Sequence, residues 1–351
     1  MDGQRGVIRA AGVTDVGLKR KVNQDNFHVD QERQLYIVAD GMGGHKAGDL
    51  ASRVAVDEIL SYLQSEAEEE RTPTGFETDE IKRQITSIEL AVQTANRKIC
   101  AMAREDRDRL GMGTTVVLVR SINNMFIVAH VGDSRLYRLR HGQLEVMTKD
   151  HSRVQELIDM EKLTEAEAER YPGRNVITRA LGGDPELKVD LAVHELESTD
   201  ILMLCTDGLS GCVPAEVIRE TLLQWAGSPE LSCKHLIDSA KRHGAPDNVT
   251  VVVLEASDVA APEDATLPFT AFLPDVDQAQ ISAPAASMES APAMSPPVAS
   301  ANFDASGIIN TSRLPANTTD PPVSPEPMVE NPAASGSSRL KRIFRRLRGQ
   351  S

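Results

Sequence analysis

The sequence predicts an α+β fold of four layers, with two antiparallel β-sheets packed face to face and helices covering each outer face. Three observations lead there. Short, nearly continuous apolar runs recur through the first 256 or so residues, as strands buried on both faces require. Helical periodicity is confined to two groups, one before and one after the middle strands. Neighbouring apolar runs are separated by two-residue polar turns, the connection that antiparallel strands use. Strands packed on strands, with helices outside, bury all of these surfaces at once.

Val7 to Thr14 reads as the opening strand, and Leu35 to Ala39 as a buried one. Ala47 to Gln64 is expected to be helical. A second helix is marked by Ile81, Ile85, Ile88, Val92, Ala95, Ile99 and Met102, recurring at steps of four and three. Thr114 to Arg120 and Met125 to Val131 flank Asn123-Asn124, and Leu136 to Leu139 and Leu144 to Met147 flank His141-Gly142; both read as hairpins. Ile201 to Cys205 and Val249 to Leu254 are further strands, separated by helical stretches near 213–225 and 230–242.

The composition fits a cored protein, with 40% apolar and 26% charged residues among 351. A net charge of −14 argues against nucleic acid as a partner, because phosphate contacts need Lys and Arg. Cys100, Cys205, Cys212 and Cys233 form no CxxC pair and read as reduced thiols of a cytoplasmic protein. The first twenty residues lack the apolar stretch of a secretory signal, and no run of about 18 apolar residues is long enough to span a bilayer.

Three segments differ in character. Residues 1–256 are expected to form the folded domain. Residues 257–338 are rich in Ala, Pro, Ser and acid, carry a net −9, and are expected to be a disordered linker. Residues 339–351 carry +6, which leaves about −11 for the first segment. Leu340, Ile343, Phe344 and Leu347 fall on one helical face among six basic residues. This basic amphipathic pattern suits an anionic membrane surface or an acidic partner docking at 339–348.

Four aspartates share one setting. Asp40, Asp133 and Asp207 end apolar runs, and Asp247 opens one. Carboxylates at rigid strand ends, with glycines beside three of them, suit hard cations such as Mg²⁺ and Mn²⁺. The plainer role for any one of them is to form a turn or cap a helix, and spacing alone leaves both readings open.

The ordered motifs go further. Asp15-Val-Gly-Leu-Lys-Arg-Lys-Val-Asn-Gln-Asp25, Val38-Ala-Asp-Gly-Met-Gly-Gly-His45, Gly111-Met-Gly-Thr-Thr115, Ala129-His-Val-Gly-Asp-Ser-Arg135, Thr148-Lys-Asp-His-Ser152, Ile177-Thr-Arg-Ala-Leu-Gly182, Thr206-Asp-Gly208 and Asp247-Asn248 span nearly all of residues 7–254. Together this set resembles the metal-dependent protein phosphatases of type 2C, bacterial members above all. The resemblance implies a protein serine/threonine phosphatase with two Mn²⁺ or Mg²⁺ ions and sometimes a third. In the implied reaction a metal-bridging hydroxide attacks phosphorus and no phosphoenzyme forms.

The resemblance also implies roles for individual residues. Asp40 resembles the carboxylate bridging two metals, with the Gly41 carbonyl on one of them; Asp207 and Asp247 resemble ligands of the other. Asp25 resembles an acidic residue acting on the metals through water, and Asp133, with Asp207, a third-metal ligand. Arg20 resembles the arginine that grips substrate phosphate, a task its planar fork suits. Two positions depart from some relatives: Met42 stands where a histidine serves as general acid, with His45 three residues further on, and Gln24 replaces a metal-side glutamate. The segment from His151 to about Arg174 resembles a variable flap, its Glu161–Arg170 stretch reads as a solvated helix face, and His130 reads as a core histidine. The implied partners are phosphoproteins and a cognate Ser/Thr kinase, and the implied state is a cytoplasmic monomer, peripheral at the inner membrane face if its tail docks there.

Overall fold

In the computed structural model, residues 7–259 are described, except 44–46, 70–76, 169 and 174. The chain separates into two units, residues 1–281 and 282–351, and every described residue belongs to the first. The expected linker beyond Val259, the basic tail and His45 lie outside the described residues.

The elements, in order, are β1 (Val7–Asp15), β2 (Asp25–Asp30), β3 (Leu35–Met42), α1 (Ala47–Glu69), α2 (Glu77–Glu105), β4 (Gly113–Thr114), β5 (Val116–Ile122), β6 (Met125–Val131), β7 (Arg135–Arg140) and β8 (Gln143–Val146). They continue with α3 (Arg153–Asp159), α4 (Glu165–Ala168), β9 (Asp190–Glu195), β10 (Ile201–Cys205), α5 (Asp207–Ser210), α6 (Ala215–Gln224), α7 (Pro229–Arg242) and β11 (Val249–Ser257). One sheet runs β1-β11-β10-β7-β8; the other runs β2-β3-β5-β6-β9, with β4 attached to β3. The pairings are antiparallel throughout.

Side-chain alternation divides each central strand between two apolar layers. On β3, Leu35, Ile37 and Ala39 join Ile59, Ile88, Val92 and Ile99 of α1 and α2. The intervening Tyr36 and Val38 face the other sheet, meeting Leu202, Leu204, Val252 and Leu254. The opposite faces of β10 and β11, through Met203, Cys205, Val251 and Val253, pack on Leu222, Leu236 and Ile237 of α6 and α7. Three apolar layers between four layers of secondary structure give the expected sandwich.

Both expected hairpins are present as two-residue turns, with Asn123 at φ 54° and His141 and Gly142 at 50° and 76°. Asn, His and Gly are among the residues that adopt this left-handed region most readily. Helix α1 runs past the expected Gln64 to Glu69, and α2 begins before Ile81, at Glu77. Folded structure passes the expected boundary at 256: Ser257 pairs with Val7, and Val259 exchanges hydrogen bonds with the Ser198 hydroxyl at 3.0 and 3.1 Å.

Candidate metal centre

Asp40 lies near the end of β3, after the fully buried run Leu35–Ala39 has fixed the strand against both neighbouring layers. Its backbone is clamped by the turn before β5. The Asp40 N–H donates to Thr115 Oγ1 at 3.0 Å, and its carbonyl accepts from the Thr115 N–H at 2.9 Å and Thr114 Oγ1 at 2.8 Å. Gly41 follows, its N–H donating to the Gln24 carbonyl at 3.1 Å. A Cβ on Gly41 would lie 2.1 Å from the Gly48 carbonyl oxygen, so no larger residue fits where the chain passes the start of α1.

Asp25 opens β2 directly opposite Asp40 in the β2–β3 register. It is buried, and its Oδ2 accepts from Thr206 Oγ1 at 2.9 Å and Thr250 Oγ1 at 2.7 Å, both from the other sheet. The two sheets are thus joined at the carboxylates. Asp207 begins α5 at the end of β10, and Asp247 sits in the turn entering β11. Asn248 braces that turn: its Oδ1 accepts from the Gln24 N–H at 2.9 Å, and its Nδ2 donates to the carbonyls of Val16 and Val22, each at 3.0 Å. Arg20 Nη2 donates to Asp247 Oδ2 at 2.6 Å. Asp133 is buried just after β6, where the Thr115 and Ser134 hydroxyls bond at 2.7 Å.

The electrostatics place these groups around one point. Burial, then the charges of Asp25, Asp207, Asp133 and Asp247, push the Asp40 carboxyl well above its ordinary range. Burial raises Asp25 to about 7, opposed by its two threonine bonds and reinforced by Asp207 and Asp247. Asp133 is likewise raised to about 7, by burial and then by Asp207 and Asp150. Asp207 is raised by burial and by Asp247. Arg20 is raised above the ordinary guanidinium value, chiefly by its bond to Asp247.

One Oδ1 atom on each of Asp25, Asp133 and Asp207 is buried without a hydrogen-bond partner. Buried acceptors left unpaired are costly, and a cation satisfies them while cancelling the repulsion. The donors are all oxygen, as Mn²⁺ and Mg²⁺ prefer. Among the described residues, no three His, Cys, Asp or Glu side chains close into a finished cage. Mg²⁺ itself takes one or two carboxylates and keeps several waters, so an open set of aspartates fits it.

Other nucleophiles do not compete. Burial pushes the Cys205 and Cys233 thiols up to about 12, which keeps them protonated and inert. His130 is buried, its ring 4.7 Å from that of His151, and burial depresses it to about 3, as suits a core histidine. A cavity of about 20 Å³ beside His130 and Asp190 is lined by none of the five aspartates of the centre and has room for little more than a water. The structure adds residues to which the sequence reading gave no role: Thr114 and Thr115 hold Asp40, Thr206 and Thr250 hold Asp25, and Asn248 holds the loop bearing Arg20. In sequence, Thr114, Thr115, Thr206 and Asn248 lie inside the ordered motifs without a task of their own, and Thr250 lies three residues after Asp247.

The family model described as protein phosphatase 2C matches residues 19–237. A serine/threonine phosphatase from Listeria welshimeri is 36% identical over 256 residues, covering 72% of this chain and 98% of its own. The serine/threonine protein phosphatase PstP of Mycobacterium tuberculosis is 38% identical over 254 residues, covering 72% of this chain and 46% of that one. A crystal structure of the PstP catalytic domain, in complex with two manganese ions, superposes with a TM-score of 0.62 at 36% identity, over 72% of this chain and all of that one. The chain belongs to the protein phosphatase 2C family, the metal-dependent serine/threonine phosphatases.

Proposed function

We propose that the chain removes phosphate from phosphoserine and phosphothreonine in proteins, at a centre where Asp40, the Gly41 carbonyl, Asp207 and Asp247 hold two Mn²⁺ or Mg²⁺ ions. Metals held there supply Lewis acidity toward phosphoryl oxygens and bring the pKa of water from about 15.7 toward 7. The observation supporting this most is the meeting of Asp25, Asp133, Asp207 and Asp247 around Asp40, with three buried oxygens unpartnered. Asp25, fixed by Thr206 and Thr250, orients water beside the centre. Asp133, with Asp207, holds a third and weaker cation. Arg20 keeps Asp247 in place through one nitrogen, and its remaining N–H donors serve the substrate phosphate.

Residues 1–256, with the end of β11 and Val259 that follow them, act as the catalytic domain, the stretch from there to 338 as a linker and 339–351 as a docking tail for an anionic membrane surface or acidic partner. The family likeness favours a Ser/Thr kinase as the opposing enzyme, the chain is read as a cytoplasmic monomer, and no helix among the described residues is long and apolar enough to cross a membrane. The test is hydrolysis of a phosphothreonine peptide by the full chain with Mn²⁺ or with chelator, beside Asp40→Asn and Asp133→Asn. Chelator and Asp40→Asn should each reduce turnover by several orders of magnitude, and Asp133→Asn by less. Circular dichroism checks that each variant is folded. Substantial turnover in excess chelator, or a folded Asp40→Asn with near-normal turnover at saturating Mn²⁺, overturns the assignment.

A further inference from the structure

The loop joining β1 to β2, residues 16–24, carries three cations in a row, Lys19, Arg20 and Lys21, and no acid. The protein as a whole is acidic, with a net charge of −14. The flanking acids do not neutralise the loop: Asp15 is ion-paired with Lys241 at 2.6 Å, and Asp25 is buried among the aspartates. Arg20 is held by Asp247, whereas Lys19 and Lys21 are exposed and make no ion pair among the described residues.

The same loop displays apolar surface. Nine large apolar side chains stand exposed among the described residues, and three of them, Val16, Leu18 and Val22, are here, at 37%, 57% and 46%. These side chains ride on a fixed frame. Asn248 Nδ2 holds the carbonyls of Val16 and Val22, the Leu18 N–H donates to the Ala245 carbonyl at 2.9 Å, and Asn23 Nδ2 donates to Thr14 Oγ1 at 2.8 Å. Gly17, at φ +76°, passes so close to Asp247 that a Cβ would lie 2.1 Å from its carbonyl oxygen. Apolar groups clustered on a rigid exposed surface mark an interaction site.

We infer that this loop is a specificity surface for the polypeptide flanking the phosphorylated residue, selecting acidic and apolar neighbours through Lys19, Lys21, Leu18 and Val22. The inference rests on the phosphatase reading above, since Arg20 and Asp247 place the loop beside the phosphate. Consecutive Cα atoms are about 3.8 Å apart, so Lys19 and Lys21 stand one step either side of Arg20. An extended peptide advances about 3.3 Å per residue, which brings side chains two or three positions from the phosphoresidue alongside the loop. Charge complementarity then favours an acidic segment.

The competing role for the lysines is to temper repulsion among the aspartates, and that role would affect every substrate alike. The test uses the full chain with Mn²⁺ and three substrates: a small aryl phosphate, a phosphothreonine peptide with Asp, Glu and Leu flanks, and one with Gly and Ser flanks. The wild type should prefer the acidic, apolar peptide, and salt should erode the preference because exposed charges are screened. Lys19→Glu with Lys21→Glu should lower kcat/KM for that peptide about tenfold, mainly through KM, while leaving the aryl phosphate within about twofold. Leu18→Ser should weaken the same peptide selectively, and a thermal melt confirms that each variant folds. Equal loss on all three substrates, no loss on any, or a wild type indifferent to flanks overturns the inference. A wild type unable to hydrolyse the aryl phosphate with Mn²⁺ overturns the phosphatase reading, and the inference with it.

Discussion

Replacing Asp25 by Asn isolates the strain that the carboxylates impose on the metal-free protein. Asp25 has its pKa raised from 3.8 to about 7, so the native state holds a proton that the unfolded chain releases near pH 4. Wild-type stability in chelator is therefore lowered by this group as pH rises from about 4 to 7, and no further above that. Asn does not titrate. One pKa unit corresponds to about 1.4 kcal/mol, so between pH 5 and 8 the variant should gain about 3 kcal/mol relative to the wild type from Asp25 itself, and relief of Asp40, which the Asp25 charge also raises, adds in the same direction. At roughly 2–4 °C per kcal/mol for a domain of this size, the gap in Tm should widen by roughly 6–12 °C.

The comparison is a double difference for a reason. His130 has the opposite sign: held near 3 by burial, it makes stability rise with pH up to its ordinary 6.5, in both proteins equally. The amide also leaves an NH₂ where Oδ1 stood, a cost that does not change with pH and cancels too. The assay is thermal unfolding by circular dichroism at pH 5, 6, 7 and 8, with chelator and with Mn²⁺. With Mn²⁺ the variant's advantage should vanish or reverse, because the metal favours the ionised wild type. Parallel melting curves for the two proteins across this range in chelator would refute the account of Asp25.

A thiol alkylator should leave most of the Mn²⁺-dependent activity intact, because Cys100, Cys205 and Cys233 are buried and the half-buried Cys212, near Asp207, has its thiol held on the Gly208 carbonyl at 3.0 Å and pushed up by burial; stoichiometric inactivation at a cysteine would contradict this. Arg20→Ala should raise KM for a phosphopeptide more than it lowers kcat, whereas a large fall in kcat at constant KM would place the guanidinium on the transition state. A chain ending at Val259 should keep full activity on a small aryl phosphate, because β11 closes its sheet at Ser257; loss of folding on truncation would assign residues beyond Val259 to the catalytic unit.

The strands buried on both faces are the plainest in sequence, while the exposed edge strand β8 is legible through its hairpin turn at His141-Gly142. β3, β5, β6, β10 and β11 are almost wholly buried, so their apolar runs are unbroken. The strands without a sequence signal, β2 and β9, are the two edges of one sheet. They read Asp-Asn-Phe-His-Val-Asp and Asp-Leu-Ala-Val-His-Glu, each with a single buried residue, and unlike the edge strands β1 and β8 they have neither an apolar run nor a two-residue hairpin turn to mark them. Helix α1 outran its expectation for a related reason. Beyond Gln64 its remaining residues are Ser, Glu and Ala, which continue a helix without marking a face.

The candidate site divides along a different line. Strand ends announce Asp40, Asp133, Asp207 and Asp247, since a carboxylate closing an apolar run is conspicuous. Asp25 had no such announcement, lying on an edge strand, and only the family resemblance singled it out. Its setting explains why this carboxylate matters to the fold as well as to the centre. Thr206 and Thr250 come from one sheet and Asp25 from the other, so their hydrogen bonds pin the two sheets together where the aspartates repel most. Thr250 is also tied to Thr14 at 2.7 Å and Thr206 to the Thr250 N–H at 3.0 Å, which carries the clamp into β1 and β11. A residue that holds its neighbours through hydroxyls in a register set by long-range strand pairing has no local pattern to reveal it. The site is built from residues 20 to 247, and only closure of both sheets brings them to one place.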